Sequence, residues 1–238
     1  MNKKAKFLLY IIFIVGCSNI VDEDSLIEKD ALKYSNNSSS PFTGDVVGKY
    51  ASGEDRVRGN YIGGKREGYW VFLHKNGKDS EKGEYVNGNK TSDWKKWYDN
   101  GIQASSGKYE DGMKEGLWKF WYNNGNKEKE INFLNDKENG RSNIWYSNGK
   151  QKNNISYSIG SKDGEYIEWD KNGKKISDGI YKSGEKWSGF FGDDHYINGV
   201  KGSLFVKFFK NGNKKIEGIL IDGQKSGTWS GWFANGNR

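Results

Sequence analysis

Glycines that recur at a 24-residue interval are the feature that most constrains the fold of this 238-residue chain. Six turn glycines keep the interval, two more follow a longer gap, and Asn precedes seven of the eight. They are Gly53, Gly77, Gly101, Gly125, Gly149, Gly173, Gly212 and Gly236. Asn-Gly is a strong hairpin signal, because both residues tolerate the positive φ of a type I′ turn. The sequence therefore predicts a repeat protein built from hairpins.

Aromatic residues stand at fixed places within each repeat. Nine of the ten Trp residues lie seven or four positions before a turn glycine. Another aromatic residue follows eight positions after that glycine, as at Tyr61 and Tyr85, and a second turn glycine comes three residues later, as at Gly64 and Gly88. We therefore predict an all-β chain, an elongated antiparallel meander or solenoid of repeated hairpins, with about eight repeats over residues 42–238.

Composition excludes several classes of protein. Aromatic residues make up 15% of the chain, which is more than a disordered chain carries, even though the mean hydropathy is -0.94. One Cys and two His cannot build a zinc or iron–sulfur site or an internal disulfide. The glycines follow the turn period and never form a phosphate-binding loop. We predict a protein that uses no metal and no cofactor and is not an enzyme.

The charge balance gives little support for a nucleic-acid partner. The formal net charge is +7, from 38 Lys and Arg residues against 31 Asp and Glu residues. Three of the Lys residues lie in the first six positions. The others are scattered through turn-rich sequence, as is typical of strand edges that must stay soluble. We predict that the protein binds no nucleic acid.

The first residues have the order of a bacterial lipoprotein signal. Lys3, Lys4 and Lys6 precede an apolar run from Phe7 to Val15, which is too short to span a bilayer. Ile14-Val15-Gly16-Cys17 resembles a lipobox, and this implies a signal peptide over residues 1–16 and acylation of Cys17, the single Cys of the chain. The lipid chains, of the palmitate type, would give stable membrane anchoring.

The segment that follows Cys17 is predicted to be a flexible tether over residues 17–41. It is acidic, rich in Asn and Ser near its end, and closes with the single Pro, Pro41. Ser18 follows the Cys where lipoproteins retained at the inner membrane often have Asp. This resemblance favours a lipid-anchored protein of the cell envelope, at the outer rather than the inner membrane.

One repeat departs from the period. The interval from Gly173 to Gly212 is 39 residues, so nine residues are missing from one repeat near residues 185–199. A break in a regular array could form a notch. This makes four residues a candidate site, namely Trp187, Asp193, Asp194 and His195. His74 stands where other repeats have Tyr, and we interpret it as a packing variant.

The Trp residues four positions before the turn glycines form a second candidate site. We call them the Trp row: Trp97, Trp121, Trp145, Trp169 and Trp232. Alternation along a strand puts Trp94 on one face and Trp97 on the other. An exposed strip of this kind marks a binding surface. The rings could serve as anchors of a protein interface or stack on the sugar rings of a glycan.

The repeat pattern carries a family resemblance. Residues 116–125, Gly-Leu-Trp-Lys-Phe-Trp-Tyr-Asn-Asn-Gly, resemble the MORN repeat variant found in bacteria. Leu32-Lys33-Tyr34 and then Pro41-Phe42-Thr43-Gly44 resemble the lead-in of YwqK-type antitoxins of toxin–antitoxin systems, which consist chiefly of such repeats. The resemblance implies an antitoxin-like protein-binding role.

Together these features predict a non-catalytic, lipid-anchored repeat scaffold of the bacterial cell envelope. Its expected partners are the membrane, through the lipid anchor, and another protein. The alternative is a module that binds cell-wall or surface glycan through the Trp row. A third hypothesis is recognition of anionic lipid by the basic repeats.

Overall fold

The structure is a computed structural model that describes residues 20–238. The predicted signal peptide, residues 1–16, and the predicted acylation site, Cys17, lie outside the described residues. Within residues 20–238 no helix is long and apolar enough to cross a membrane.

Twenty strands and one short 3-10 turn, Glu23–Ser25, make up the regular structure of the described residues. In chain order the strands are β1 Val21–Asp22, β2 Ile27–Lys29, β3 Leu32–Tyr34, β4 Gly44–Lys49, β5 Asp55–Ile62, β6 Lys65–Leu73, β7 Asp79–Val86, β8 Asn89–Trp97, β9 Gln103–Glu110, β10 Met113–Trp121, β11 Lys127–Leu134, β12 Lys137–Trp145, β13 Gln151–Ser158, β14 Ser161–Trp169, β15 Lys175–Lys182, β16 Glu185–Phe191, β17 Asp194–Ile197, β18 Val200–Phe208, β19 Lys214–Ile221 and β20 Gln224–Gly231.

The strands form one long antiparallel meander. Each strand from β4 to β19 pairs with the next strand in the chain. Strand β1 adds in parallel beside β4 and completes an 18-stranded sheet, while β2 and β3 form a separate hairpin. The predicted all-β fold of repeated hairpins is confirmed.

The Asn-Gly turns differ from the predicted type I′ geometry. At the turn His74–Lys78 the amide of Gly77 donates to the carbonyl of His74 at 2.9 Å, and the amide of His74 donates to the carbonyl of Lys78 at 2.8 Å. Gly77 has a φ of 78°, whereas Asn76 is not in the positive region. One positive φ after two ordinary residues is a type I turn closed by a G1 bulge. The type I′ prediction is therefore wrong for this turn.

Type I′ geometry occurs instead at the other turn of each repeat. Asn87 and Gly88 have φ values of 51° and 86°, so both central residues are in the positive region. Asp111 and Gly112 repeat the pattern, with φ values of 48° and 82°. The twist of this turn matches that of the flanking strands. Each repeat therefore alternates a bulged turn with a tight one.

Alternating Tyr and Trp rings form the core on one side of the sheet, which we call the inner face. Trp70, Trp94 and Trp118 are 0%, 2% and 4% exposed. Tyr85 meets Trp94 edge to face with centroids 5.0 Å apart, and Tyr109 meets Trp118 in the same way at 5.0 Å. Edge-to-face contact is a favoured aromatic geometry. A continuous core column therefore connects neighbouring repeats.

Each core Trp is accommodated by a glycine on the preceding strand. A Cβ atom added at Gly107 would lie 2.2 Å from the ring of Trp118. One repeat exchanges the two sizes: Ile131 stands where the glycine would be, Ser142 replaces the Trp, and both are fully buried at 0% exposed. The space that a Trp ring fills above a glycine is thus filled by an Ile side chain above a serine.

The flexible tether was predicted over residues 17–41, and the structure differs from it in residues 20–41, the part that it describes. Leu26 is 7% exposed and packs in the core that contains Val46, Tyr61 and Trp70. Glu23 is also buried and accepts a hydrogen bond from the Tyr61 hydroxyl at 3.1 Å. These contacts are long-range, so an acidic local composition does not reveal them. The segment is a cap that covers the first repeat, as the end repeats of such arrays require.

The shortened repeat lies where the sequence places it. Strand β16 has seven residues and β17 has four, and the two pair directly with each other and with their neighbours. Phe191 takes the place of the core Trp, and its ring lies over Gly179. The meander therefore continues through the irregular repeat without a gap.

Candidate functional site

The Trp row lies on the outer face, which is the side of the sheet opposite the core column. Trp97, Trp121, Trp145 and Trp169 each end their strand, namely β8, β10, β12 and β14. Each side chain is half-buried. Phe208 occupies the same position in a later repeat and is 58% exposed. The structure therefore places the predicted residues at equivalent positions, directly before the bulged turns.

Hydrogen bonds between repeats fix the backbone of the Trp row. The hydroxyl of Tyr98 donates to the carbonyl of Trp121 at 2.8 Å, and that of Tyr122 donates to the carbonyl of Trp145 at 2.7 Å. The Nε2 atom of His74 makes the equivalent contact with the carbonyl of Trp97 at 2.9 Å. His74 thus takes over the role of the Tyr residues, in agreement with its interpretation as a packing variant.

The Asn residues of the bulged turns make a second set of bonds between repeats. The Nδ2 atom of Asn76 donates to the carbonyl of Asp99 at 2.7 Å, and that of Asn100 donates to the carbonyl of Asn123 at 2.9 Å. The Oδ1 atom of Asn100 accepts the amide of Ile102 at 2.9 Å and closes its own turn. Asn is therefore present at this position for its side-chain amide rather than for a positive φ.

Lysine side chains cover rings of the Trp row. The Nζ atom of Lys82 lies 4.9 Å from the ring centroid of Trp97, and that of Lys127 lies 5.5 Å from Trp145. A cation at this distance from an indole face is attracted to it. These ring faces are therefore occupied by groups from the chain itself, while part of each half-buried Trp remains accessible.

A row of cations also covers the core column on the inner face. Lys90 lies 3.9 Å from the ring of Trp94, and Lys114 lies 5.0 Å from that of Trp118. The row was not predicted from the sequence, although the sequence carries a signal for it. A basic residue stands two positions after the second turn glycine of a repeat, as at Gly88 and Lys90. The row consists of Arg66, Lys90, Lys114, Lys162, Lys186 and Lys225.

Glu138 interrupts the cation row and carries the opposite charge. Two repeats earlier, Lys90 of the row pairs with Glu81 of β7 at 2.5 Å. In its own repeat the charges are exchanged, because Glu138 pairs with Lys129 of β11. This is the repeat that also carries the Ile131–Ser142 exchange. This central repeat therefore differs from the other repeats in the sizes of its core side chains and in the order of its charges.

The residues of the irregular repeat are each engaged separately. Asp194 pairs with Lys201 at 2.7 Å, and this contact lowers the pKa of its carboxyl. His195 packs against Phe190 with ring centroids 6.3 Å apart, and its Nδ1 atom is buried without a hydrogen-bond partner. Because neighbouring residues on a strand point to opposite faces, the Asp194 and His195 side chains diverge.

Trp187 and Asp193 have different surroundings. Trp187 lines a pocket of about 670 Å³ together with Tyr181, Lys186 and Tyr196, and Lys182 lies 4.3 Å from its ring. Asp193 is exposed in the turn between β16 and β17. Among residues 20–238, no three His, Cys, Asp or Glu side chains are grouped so that they could hold a metal ion.

Half-buried tyrosines make the stability of the array depend on pH in the alkaline range. Burial, with a smaller contribution from Glu81, raises the pKa of Tyr109 to about 12. Burial and Glu138 raise the pKa of Tyr157 to about 12. The ordinary Tyr pKa is about 10. Since the folded state holds the protonated form, the stability from these groups is complete below about pH 10 and is lost as pH rises towards about 12.

Replacing Tyr109 by Phe is expected to reduce this alkaline loss, because the variant has one less half-buried hydroxyl to ionise. The measurement is the urea midpoint of unfolding, followed by Trp fluorescence between about pH 9 and about pH 12. Tyr69→Phe is the control, since Tyr69 is 56% exposed. An equal alkaline loss in the Tyr109→Phe variant and in the parent protein would contradict the assignment.

No protein-family model and no curated protein matches the chain.

Proposed function

We propose that this chain is a non-catalytic, lipid-anchored scaffold of the bacterial cell envelope that binds a protein partner through the Trp row. The MORN-like repeat, the antitoxin-like lead-in and the acylation of Cys17 are parts of the same proposal. The observation that carries it is the row itself: half-buried Trp side chains in equivalent positions on successive repeats of one outer face.

Rigidity supports a role in recognition. The carbonyls of Trp121, Trp145 and Trp169 each accept a Tyr hydroxyl from the preceding repeat. A backbone already held in place by such bonds loses little conformational freedom when a partner covers its side chains. Trp residues in such positions commonly dominate the binding energy of protein interfaces.

The lysines over the Trp row favour a protein over a glycan. A sugar ring stacks on an open aromatic face, but Lys82 lies over Trp97 and Lys127 over Trp145. A protein interface can use the accessible parts of such rings together with the neighbouring polar groups.

The electrostatics support a non-catalytic role. In the part of the chain that the structure describes, the environment shifts pKa values away from neutral pH. Hydrogen bonds lower the pKa values of the carboxyls of Asp55, Asp170 and Asp194, and partial burial raises the pKa of tyrosines such as Tyr109. A catalytic acid or base is instead usually tuned towards its working pH.

The test is capture of the tagged full-length protein from its own membranes, followed by reconstitution with the purified partner. Changing Trp97, Trp121 and Trp145 to Ser is expected to weaken partner binding by about 100-fold or more, because interface anchors of this kind often contribute 2 kcal/mol or more each. Mass spectrometry of the N-terminal peptide would test acylation of Cys17 in the same preparation.

The matched control removes three exposed apolar side chains that share one position of the repeat, Ile62, Val86 and Leu134, which are 57%, 48% and 41% exposed. This Ser variant is expected to keep the partner, and circular dichroism would verify that both variants fold. Full binding by the Trp variant would contradict the proposal. Trp-dependent sedimentation with cell-wall material that oligosaccharide displaces would instead support glycan binding.

A further inference from the structure

The pocket beside Trp187 lies between two successive tight turns, at the shortened repeat. It has a volume of about 670 Å³ and reaches the turn glycines Gly184 and Gly199. Its apolar wall consists of Tyr181, Trp187 and Tyr196, which come from the successive strands β15, β16 and β17. Each of these rings is half-buried, so part of it remains accessible. A volume of this size and an aromatic wall are typical of sites for small ligands.

Regular repeats place a polar side chain between their successive tight turns. Glu67 accepts the amide of Asn87, in the next tight turn, at 2.7 Å. Glu115 accepts the amide of Asn135 in the same way at 3.1 Å. Trp187 has the equivalent position in the shortened repeat, because it also stands three positions after a turn glycine. An indole ring carries no acceptor, so this repeat lacks the carboxylate that Glu67 and Glu115 supply.

The tight turn that follows Trp187 has a free donor. Asn198 and Gly199 form this turn, with φ values of 50° and 80°. The amide of Gly199 donates to the carbonyl of Trp187 at 2.7 Å. In the described part of the chain no group accepts the amide of Asn198, the residue that is equivalent to Asn87. A carboxylate bound in the pocket would therefore take the role that Glu67 has in its own repeat.

The charges around the pocket favour an anionic ligand. Lys182 and Lys186 both line it, together with the acidic residue Glu185. Within residues 20–238 neither of the two lysines forms an ion pair. Asp194 of β17 attracts Lys186, but Asp194 is itself paired with Lys201 at 2.7 Å. An ammonium group without a carboxylate partner is available to form a charge-assisted hydrogen bond with a ligand.

We propose that this pocket binds a small carboxylate whose remaining part is apolar. Lys182 and Lys186 pair with the carboxylate, the amide of Asn198 donates to it, and the three rings of the wall cover the apolar part. The site is separate from the Trp row, which lies directly before the bulged turns, and it does not depend on acylation of Cys17. Of the residues predicted at the irregular repeat, Trp187 lines this pocket, whereas Asp193, Asp194 and His195 do not.

The test is calorimetric titration of the purified full-length protein with hydrocinnamate, which carries a carboxylate and an apolar ring. Propionate keeps the charge without the ring, and hydrocinnamide keeps the ring without the charge. Hydrocinnamate is expected to bind with a dissociation constant of about 1 mM or less, and each of the other two probes about 10-fold more weakly. In the amide NMR spectrum, hydrocinnamate is expected to shift the signals of Asn198 and of the Trp187 indole.

Three variants locate the binding. Trp187→Glu is expected to abolish it, because the new carboxylate then fills the place that Glu67 fills in a regular repeat. Lys186→Gln is expected to weaken hydrocinnamate binding by about 10-fold through loss of a charge-assisted hydrogen bond. Lys114→Gln is the matched control, since Lys114 also stands two positions after a turn glycine but lies in a regular repeat. This control is expected to bind hydrocinnamate as the parent protein does.

Circular dichroism would verify that each variant folds, and Lys186→Gln keeps the test decisive if Trp187→Glu does not. No binding of hydrocinnamate by the parent protein would overturn the inference. So would binding by propionate of equal strength, or equal weakening by Lys186→Gln and Lys114→Gln. Capture of the protein partner through the Trp row is expected to be unchanged in Lys186→Gln, so this inference and the proposed function can fail separately.

Discussion

Replacing Gly107 by Ile is expected to lower the free energy of unfolding by about 3 kcal/mol, because the core column has no room for a side chain there. A Cβ atom alone would lie 2.2 Å from the Trp118 ring, which is itself 4% exposed. The ring cannot move outward without losing its contacts with Tyr109 and Phe133. Urea unfolding followed by Trp fluorescence measures the change.

The second substitution in this experiment is Trp118→Ser, which alone is expected to cost about 3 to 5 kcal/mol through the cavity it leaves. The double variant reproduces the natural pair Ile131 and Ser142, in which the large side chain simply lies on the other strand. Its cost is expected to be about 2 kcal/mol smaller than the sum of the two single costs, a coupling typical of residues in direct contact.

The control for this cycle is Gly231→Ala. Gly231 lies in β20, has no positive φ, and an added Cβ atom would meet only the carbonyl oxygen of Lys215 at 3.9 Å. Its effect on the free energy of unfolding is expected to stay within about 0.5 kcal/mol. Strictly additive costs for Gly107→Ile and Trp118→Ser would contradict the exchange of sizes described for the central repeat.

The second large effect concerns the N-terminal cap. Leu26→Ala is expected to lower the free energy of unfolding by about 2 to 4 kcal/mol, because the side chain is 7% exposed and packs against the first repeat. Ile27→Ala is the matched control, because Ile27 is the next residue in the chain and is 51% exposed. Loss of its side chain is expected to change the free energy of unfolding by less than about 0.5 kcal/mol.

The same pair of variants distinguishes a cap from a tether. A flexible tether contributes nothing to the stability of the array, so both substitutions would then leave the urea midpoint unchanged. Equal and negligible effects of Leu26→Ala and Ile27→Ala would overturn the packing described for this segment. Hydrogen exchange of the first repeat gives a second readout, since loss of the cap is expected to increase exchange there before it does so in later repeats.

The fold could be predicted from the sequence because its signals are local and repeated. Turn glycines and aromatic positions at a fixed period specify strands, turns and the order of a meander without knowledge of any distant contact. The shortened repeat could be located by arithmetic on the same glycines. The interval from Gly173 to Gly212 implies that nine residues are missing near residues 185–199, and the short strands β16 and β17 lie there.

The errors arose where geometry depends on a residue's neighbours. Asn-Gly suits a type I′ turn, but at Asn76 the side-chain amide bonds to the next repeat, and a bulge supplies the single positive φ at Gly77. The cap was mistaken for a tether because Glu23 is buried only through Tyr61, Arg56 and Arg66, which lie 33 to 43 residues away. Acidic composition alone cannot reveal such partners.

The candidate site could be predicted only as a set of positions. The spacing of Trp97, Trp121 and Trp145 shows that they recur together, but not that lysines occupy ring faces or that Tyr hydroxyls bind their carbonyls. The cation row of the inner face was missed although its period is the same. Lys114 is recognised as part of a surface only when Trp118 is seen beneath it.

The divergent central repeat also affects how the chain finds its own register. Repeats with the same turns and the same spacing can mispair by one whole repeat, a characteristic error of such arrays. If β11 took the place of β9, Ile131 would lie beneath the Trp118 ring, where Gly107 normally leaves room, and Lys129 would face Lys114 instead of Glu138. Both contacts are unfavourable, so this repeat disfavours strand pairing that is shifted by one repeat.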